Sequence, residues 1–192
     1  MGWIVLLMVL NFAISWFNAW AVGKSWIESK HVGGWPHFIN WCAAIMSACG
    51  FTWVYLLIIG FIAYATGYLP EKYLEGFISL GYTIIIFPVI GTGIAITIDS
   101  WAHFWRKRSF GNGAVAVWNT FADFYNIYQA TRALPGAFDS IGDLFDSDSD
   151  NPGLTLIVIF LVAASVIGGI LTTVAIVRVT SRNHASALTA RY

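Results

Sequence analysis

Charge is what this chain has least of. Ten basic and ten acidic side chains stand among 192 residues, 10% in all, against 58% hydrophobic. Soluble domains carry about 25% charged residues, so an ordinary soluble domain is excluded. The formal net charge is zero. That excludes nucleic acid as an expected partner and leaves no strongly basic arm for lipid headgroups. Cysteine is also scarce. Cys42 and Cys49 are the two present, too few for a disulfide framework. Seven residues apart on one helix, they lie about 10 Å apart along its axis and cannot bridge. They read as small packing residues.

What is present is a set of long uncharged runs. Residues 1–23, 31–70, 76–98 and 151–177 contain no Asp, Glu, Lys or Arg. A helix needs about 20 mostly apolar residues to cross a bilayer, and each run is long enough. Ten tryptophans and eight tyrosines suit the membrane–water boundary, where the ring is apolar and its N–H or O–H stays wet. The sequence therefore predicts an all-α integral membrane protein, 1–192 forming a single membrane domain. Transmembrane helices are expected at about 3–23, 37–68, 74–100 and 152–177. An aromatic-rich amphipathic helix, interfacial or partly buried, is expected at about 112–134. An acidic loop at 139–150 and a polar tail at 178–192 complete the outline.

The amino end has an apolar run followed by Ala19-Trp20-Ala21, which mimics a signal-peptide cleavage site. No basic residue precedes the run, so a retained helix is expected. Leu6 stands where a myristoylation site needs Ser or Thr. In the third run Pro88 lacks the N–H that a helix would use, which predicts a kink. Asn151-Pro152 reads as a helix N-cap followed by proline at the first helical position. Pairs of small residues, Ala44 with Ala48 and Ala63 with Gly67, let a neighbouring helix come close, as do Ala164, Gly168 and Gly169.

The span number has an alternative. With four crossings and the amino end outside, the cytoplasmic side holds Lys24, Lys30, Arg106, Lys107, Arg108 and Arg132. Lys72 and the tail arginines then lie outside. If 112–132 crosses as well, giving five transmembrane helices, the tail arginines join the cytoplasmic set. Lys72 and Arg132 alone remain outside, a distribution the positive-inside tendency prefers. Against it stands Asp123, whose insertion at a helix centre costs about 2.5–3.5 kcal/mol. A plasma or bacterial inner membrane is the expected location.

Two polar stripes stand out. Asn11, Ser15 and Asn18 share one face of the first helix, and Asn119, Asp123 and Asn126 share one face of the aromatic helix. Lipid cannot satisfy these groups, so each stripe is expected to face protein or a pore. Asp123 is the ionisable member and the functional candidate if it lies at membrane depth.

Weaker signals concern ions. His31, His37, Asp99 and His103 are candidates for a metal or proton-relay site, because Asp99 and His103 meet at helical i,i+4 spacing. The bland reading is an interfacial anchor. Asp146, Asp148 and Asp150 open like a calcium-binding loop, but Asn151 replaces its turn glycine and Ile157 its bidentate Glu. The cofactor stays unknown.

The expected function is non-enzymatic: a polytopic membrane protein acting as a structural subunit of a larger membrane assembly. Its partners would be the lipid bilayer and identical copies or other membrane subunits. Neither 139–150 nor 183–192 has the apolar content to order alone, so neighbours are expected to hold them. The alternative is a channel or transporter lined by the polar stripes. It includes a holin-like pore; small phage holins share size, multiple spans and a basic tail with the chain, a likeness of composition only. A membrane enzyme or redox subunit using Asp99 and the histidines is the third class.

Overall fold

The computed structural model describes residues 2–146 and 152–189. Among these, every regular element is a helix. The order is α1 (Gly2–Val32), α2 (Gly34–Thr66), α3 (Glu71–Arg106), α4 (Phe110–Phe145) and α5 (Pro152–Thr189). Four of them, all but α4, are long and apolar enough to cross a membrane, which fits a membrane location.

α1, α3 and α5 outrun their uncharged runs, α2 stays inside its own, and local signals mark the joints between helices. α1 and α2 meet at Gly33 and Gly34, whose φ angles are 66° and 57°. A side chain at such angles strains against its own backbone. Gly33→Ala is therefore expected to lower stability by about 1–2 kcal/mol, read from denaturant unfolding in detergent. α2 ends at Gly67, also left-handed, whose N–H bonds the Tyr64 carbonyl at 3.1 Å. Gly67 thus caps the helix and is not part of a close-approach pair. α3 starts after Pro70, whose carbonyl accepts from the Tyr73 and Leu74 N–H groups. α4 starts at Ser109, whose side chain accepts the Asn112 N–H at 3.2 Å.

α2 is central. It packs on α1, α3 and α5, and α5 also touches α1 and α3. One core cluster joins Ala19, Val22, Phe51, Ile176 and Val177. The other joins Leu56, Phe77, Val158 and Val162 to Leu144 of α4. Helices approach where side chains vanish. A Cβ on Gly169 would meet the Ala48 carbonyl at 2.6 Å and the Thr52 amide nitrogen at 2.8 Å. Ala164, by contrast, is exposed, so the close-approach face of α5 is carried by Ser165, Gly168 and Gly169.

Three expectations need correction. The acidic loop begins too early: α4 continues to Phe145, carrying Asp139 and Asp143, and 147–150 lie outside the described residues. The polar tail is helical to Thr189 and leans on the chain's own α1. Ser181 Oγ donates to the Gly23 carbonyl at 2.8 Å, and a Cβ on Gly23 would meet Thr180 at 2.6 Å. Through Thr180 and Ser181 the helix thus contacts the chain's own α1. Pro88 does not interrupt α3. Thr92 Oγ1 donates to the Pro88 carbonyl at 2.7 Å. α4 likewise runs on through Pro135.

Candidate functional site

Three polar constellations are built on this frame. The first gathers at the end where α1 meets α2 and where α3 closes. Ser29, buried on α1, donates to the Trp26 carbonyl and accepts from Asn40 Nδ2 at 2.7 Å. Asn40 Oδ1 accepts from Ser25 Oγ at 3.0 Å. His37 Nε2 accepts the Trp41 indole N–H at 3.2 Å, so Nδ1 is the nitrogen left to donate to Ser29 Oγ, 3.3 Å away. Trp26 stacks edge-on against both His37 and Trp41. On α3, Asp99 accepts the Trp35 indole N–H at 2.7 Å and lies 3.2 Å from His103 Nδ1.

The four metal candidates therefore divide. Asp99 and His103 meet, His37 belongs to the serine–asparagine network, and His31 is exposed. Among the described residues no group of three or more potential ligands gathers. What the arrangement does is pin α1, α2 and α3 together at one end. Ser25, Ser29 and Asn40 escaped the sequence reading, as did the pairing of Trp35 with Asp99. The indole partner of Asp99 is 64 positions away, beyond any local spacing rule. Removing the shared acceptor with Ser29→Ala strands the Asn40 amide and the His37 N–H. A loss of about 1–3 kcal/mol is expected, measured by unfolding against wild type.

The second constellation is the α1 stripe. Ser15 is buried and donates to Asn11 Oδ1 at 3.3 Å. Both lie where a Cβ on Gly50 of α2 would sit. Asn18 is half-buried on the same side.

The third is the seam between α3 and α4. α4 runs antiparallel along α3. Asn119 Nδ2 donates to Ser100 Oγ at 2.7 Å, and the Trp101 indole to Thr120 Oγ1 at 2.9 Å. Asp123 is buried, accepts from Thr97 Oγ1 at 2.5 Å, and fills the space above Gly93. At the far end Leu144 covers Gly76. The buried residues of α4 are Ala116, Asp123, Ala130, Ala137 and Leu144, spaced by sevens. Small residues at that spacing allow two helices to run close side by side. Asn126 is half-buried beside the seam.

The opposite face of α4 is aromatic and charged. Trp118, Phe121, Tyr125 and Tyr128 are exposed there. Arg132, Asp139 and Asp143 are exposed on the same side. Interpolating between the Asp123–Thr97 and Leu144–Gly76 contacts puts Arg132 level with Phe87 and Pro88, mid-way along the uncharged run 76–98. Arg132 donates to Tyr128 Oη at 2.8 Å and makes no ion pair among the described residues.

Of the calcium candidates, Asp146 closes α4, and Asp148 and Asp150 lie outside the described residues. Two surface hollows occur elsewhere, one of about 540 Å³ around Trp101, Phe104 and Arg108, the other between Trp20, Lys24 and His184. Neither is lined by the stripes. Comparison with protein-family models, with curated proteins and with solved structures finds no match.

Proposed function

We propose that this chain is an integral membrane protein of five crossings that serves as a structural, non-enzymatic subunit of a larger membrane assembly. The observation that carries the proposal is the outer face of α4. The helix lies beside α3 along its length, so it enters the bilayer if α3 does. Its Asp123 and Asn119 are turned onto α3, which lowers the cost that weighed against a fifth crossing. What remains outward is Arg132 at mid-depth, with Asp139 about 10 Å further along the axis. Lipid tails leave such groups unsatisfied, and an Arg at a helix centre costs about 2.5–3.5 kcal/mol. A neighbouring protein relieves that cost.

Charge placement agrees. With five crossings Lys24, Lys30, Arg106, Lys107, Arg108, Arg178, Arg182 and Arg191 share one side, which the positive-inside tendency makes cytoplasmic. Arg132 leaves the count, and Lys72 stands alone opposite.

The test is labelling by a membrane-impermeant thiol reagent of single cysteines placed at Lys107 and Asp146. Five crossings put them on opposite sides, and labelling from the same side refutes that topology. Subunit counting after gentle extraction then tests the assembly. A lone, monodisperse chain with α4 still protected from hydrogen exchange refutes it.

A further inference from the structure

We infer that the outer face of α4 is a docking site for a membrane-spanning helix that carries a carboxylate at mid-depth, opposite Arg132. The inference rests on the five-crossing reading and deepens it by naming the partner's chemistry.

Trp118, Tyr125, Arg132 and Asp139 follow one another at intervals of seven along α4, with Phe121 and Tyr128 between them. A sevenfold repeat on a straight stripe matches the seam that one helix offers another. It is the same spacing that α4 uses on its opposite side against α3. The helix thus has two seams, and the chain itself fills one.

The open seam has a definite polarity. Its aromatic half provides broad contact area. Its other half presents a cation held in place by Tyr128, whose ring lies 5.5 Å from the guanidinium and whose hydroxyl takes one of its N–H groups. Four guanidinium N–H donors remain. In hydrocarbon the group that answers a planar fork of donors is a carboxylate. Asp139, two turns further, asks for a donor from the same partner.

A second copy of this chain is disfavoured as occupant. A twofold axis along the membrane normal brings α4 against α4 at equal depth, which sets Arg132 against Arg132. Like charges meeting in a dry interface repel strongly.

The probe is a synthetic leucine-rich transmembrane peptide with one Glu at its centre. It is dye-labelled and reconstituted with the full chain in phosphatidylcholine vesicles at mildly alkaline pH. Versions with Gln or Lys in place of Glu serve as comparisons. Energy transfer from chain to peptide reports association. The Glu peptide is expected to associate at least about tenfold more strongly than the Lys peptide. Arg132→Leu should remove the preference and Arg132→Glu should reverse it. Equal association of all three peptides, or a preference that survives Arg132→Leu, overturns the inference.

A second measurement separates this failure from failure of the topology. Arg132→Cys is exposed to the impermeant thiol reagent alongside the cysteines placed at Lys107 and Asp146. Opposite-side labelling of the outer pair with no reaction at position 132 supports a dry seam. Opposite-side labelling with rapid reaction at 132 means that the face is wet; the crossing then stands and the docking inference falls. Self-association of the chain alone in vesicles, lost in Arg132→Leu, would make a second copy the occupant and also overturn it.

Discussion

Gly169→Ala is expected to lower stability by about 3 kcal/mol, the upper end of what overpacking costs. A bulkier Gly169→Leu is expected to leave no stable folded protein. The added Cβ meets the Ala48 carbonyl and the Thr52 amide nitrogen, 2.6 and 2.8 Å from its ideal position, and lies against the Thr52 hydroxyl. A side chain can rotate away from an intruder, but the backbone of a hydrogen-bonded helix cannot. α2 and α5 must therefore part. Their separation opens the cluster in which Phe51 packs with Ile176 and Val177. Folding free energies are about 5–15 kcal/mol in total, so a loss of this size decides survival. Detergent titration of helical signal, with Gly168→Ala as the comparison, checks it. At Gly168 the new atom meets the Tyr55 ring edge at 3.2 Å, a side chain and not backbone.

Gly93→Ala is expected to cost about 1–3 kcal/mol alone and far less beside Asp123→Ala. The Asp123 carboxylate occupies the place of the missing Cβ, so shortening Asp123 to Ala makes room for a Cβ at position 93. Asp123→Ala also strands little. The Thr97 hydroxyl can turn back to a carbonyl one turn earlier on its own helix, as threonines in helices do. The double-mutant cycle should therefore show coupling of about 1–2 kcal/mol, measured by unfolding of all four variants. Additive losses would mean that Asp123 does not fill the glycine space.

These two sites show where sequence reading reaches and where it stops. The uncharged runs placed four of the helices, because absence of charge over such a length has few other physical uses. α1, α3 and α5 reach further than those runs. Polar flanks such as 24–32 and 178–189 continue the helices, and α1, α2 and α3 stop where Gly33, Gly67 and Lys107 break the backbone pattern. The inward turn of Ser15 and Asp123 followed from the cost of stranding polar groups. Their landing places on Gly50 and Gly93 did not, since nothing near Ser15 in the chain points to a glycine one helix away. α4 was cut short at Pro135 and at the aspartates. The spacing by sevens of Ala116, Asp123, Ala130, Ala137 and Leu144 was visible all along, and outweighs both. The Asp99–His103 pair was readable from its spacing. Around it no group of three potential ligands gathers among the described residues, and His37 bonds Ser29 and Trp41.

The packing of α5 has a consequence for synthesis. Ala19 and Val22, near the start of the chain, share their core cluster with Ile176 and Val177, near its end. A ribosome that has delivered the first four helices has made a protein whose earliest segment still lacks its neighbour. The α3–α4 pair can settle at once, since its seam joins consecutive helices. The α1–α2–α5 cluster waits for the last helix. A nascent chain halted before Pro152 therefore leaves the α1–α2 surface unclosed.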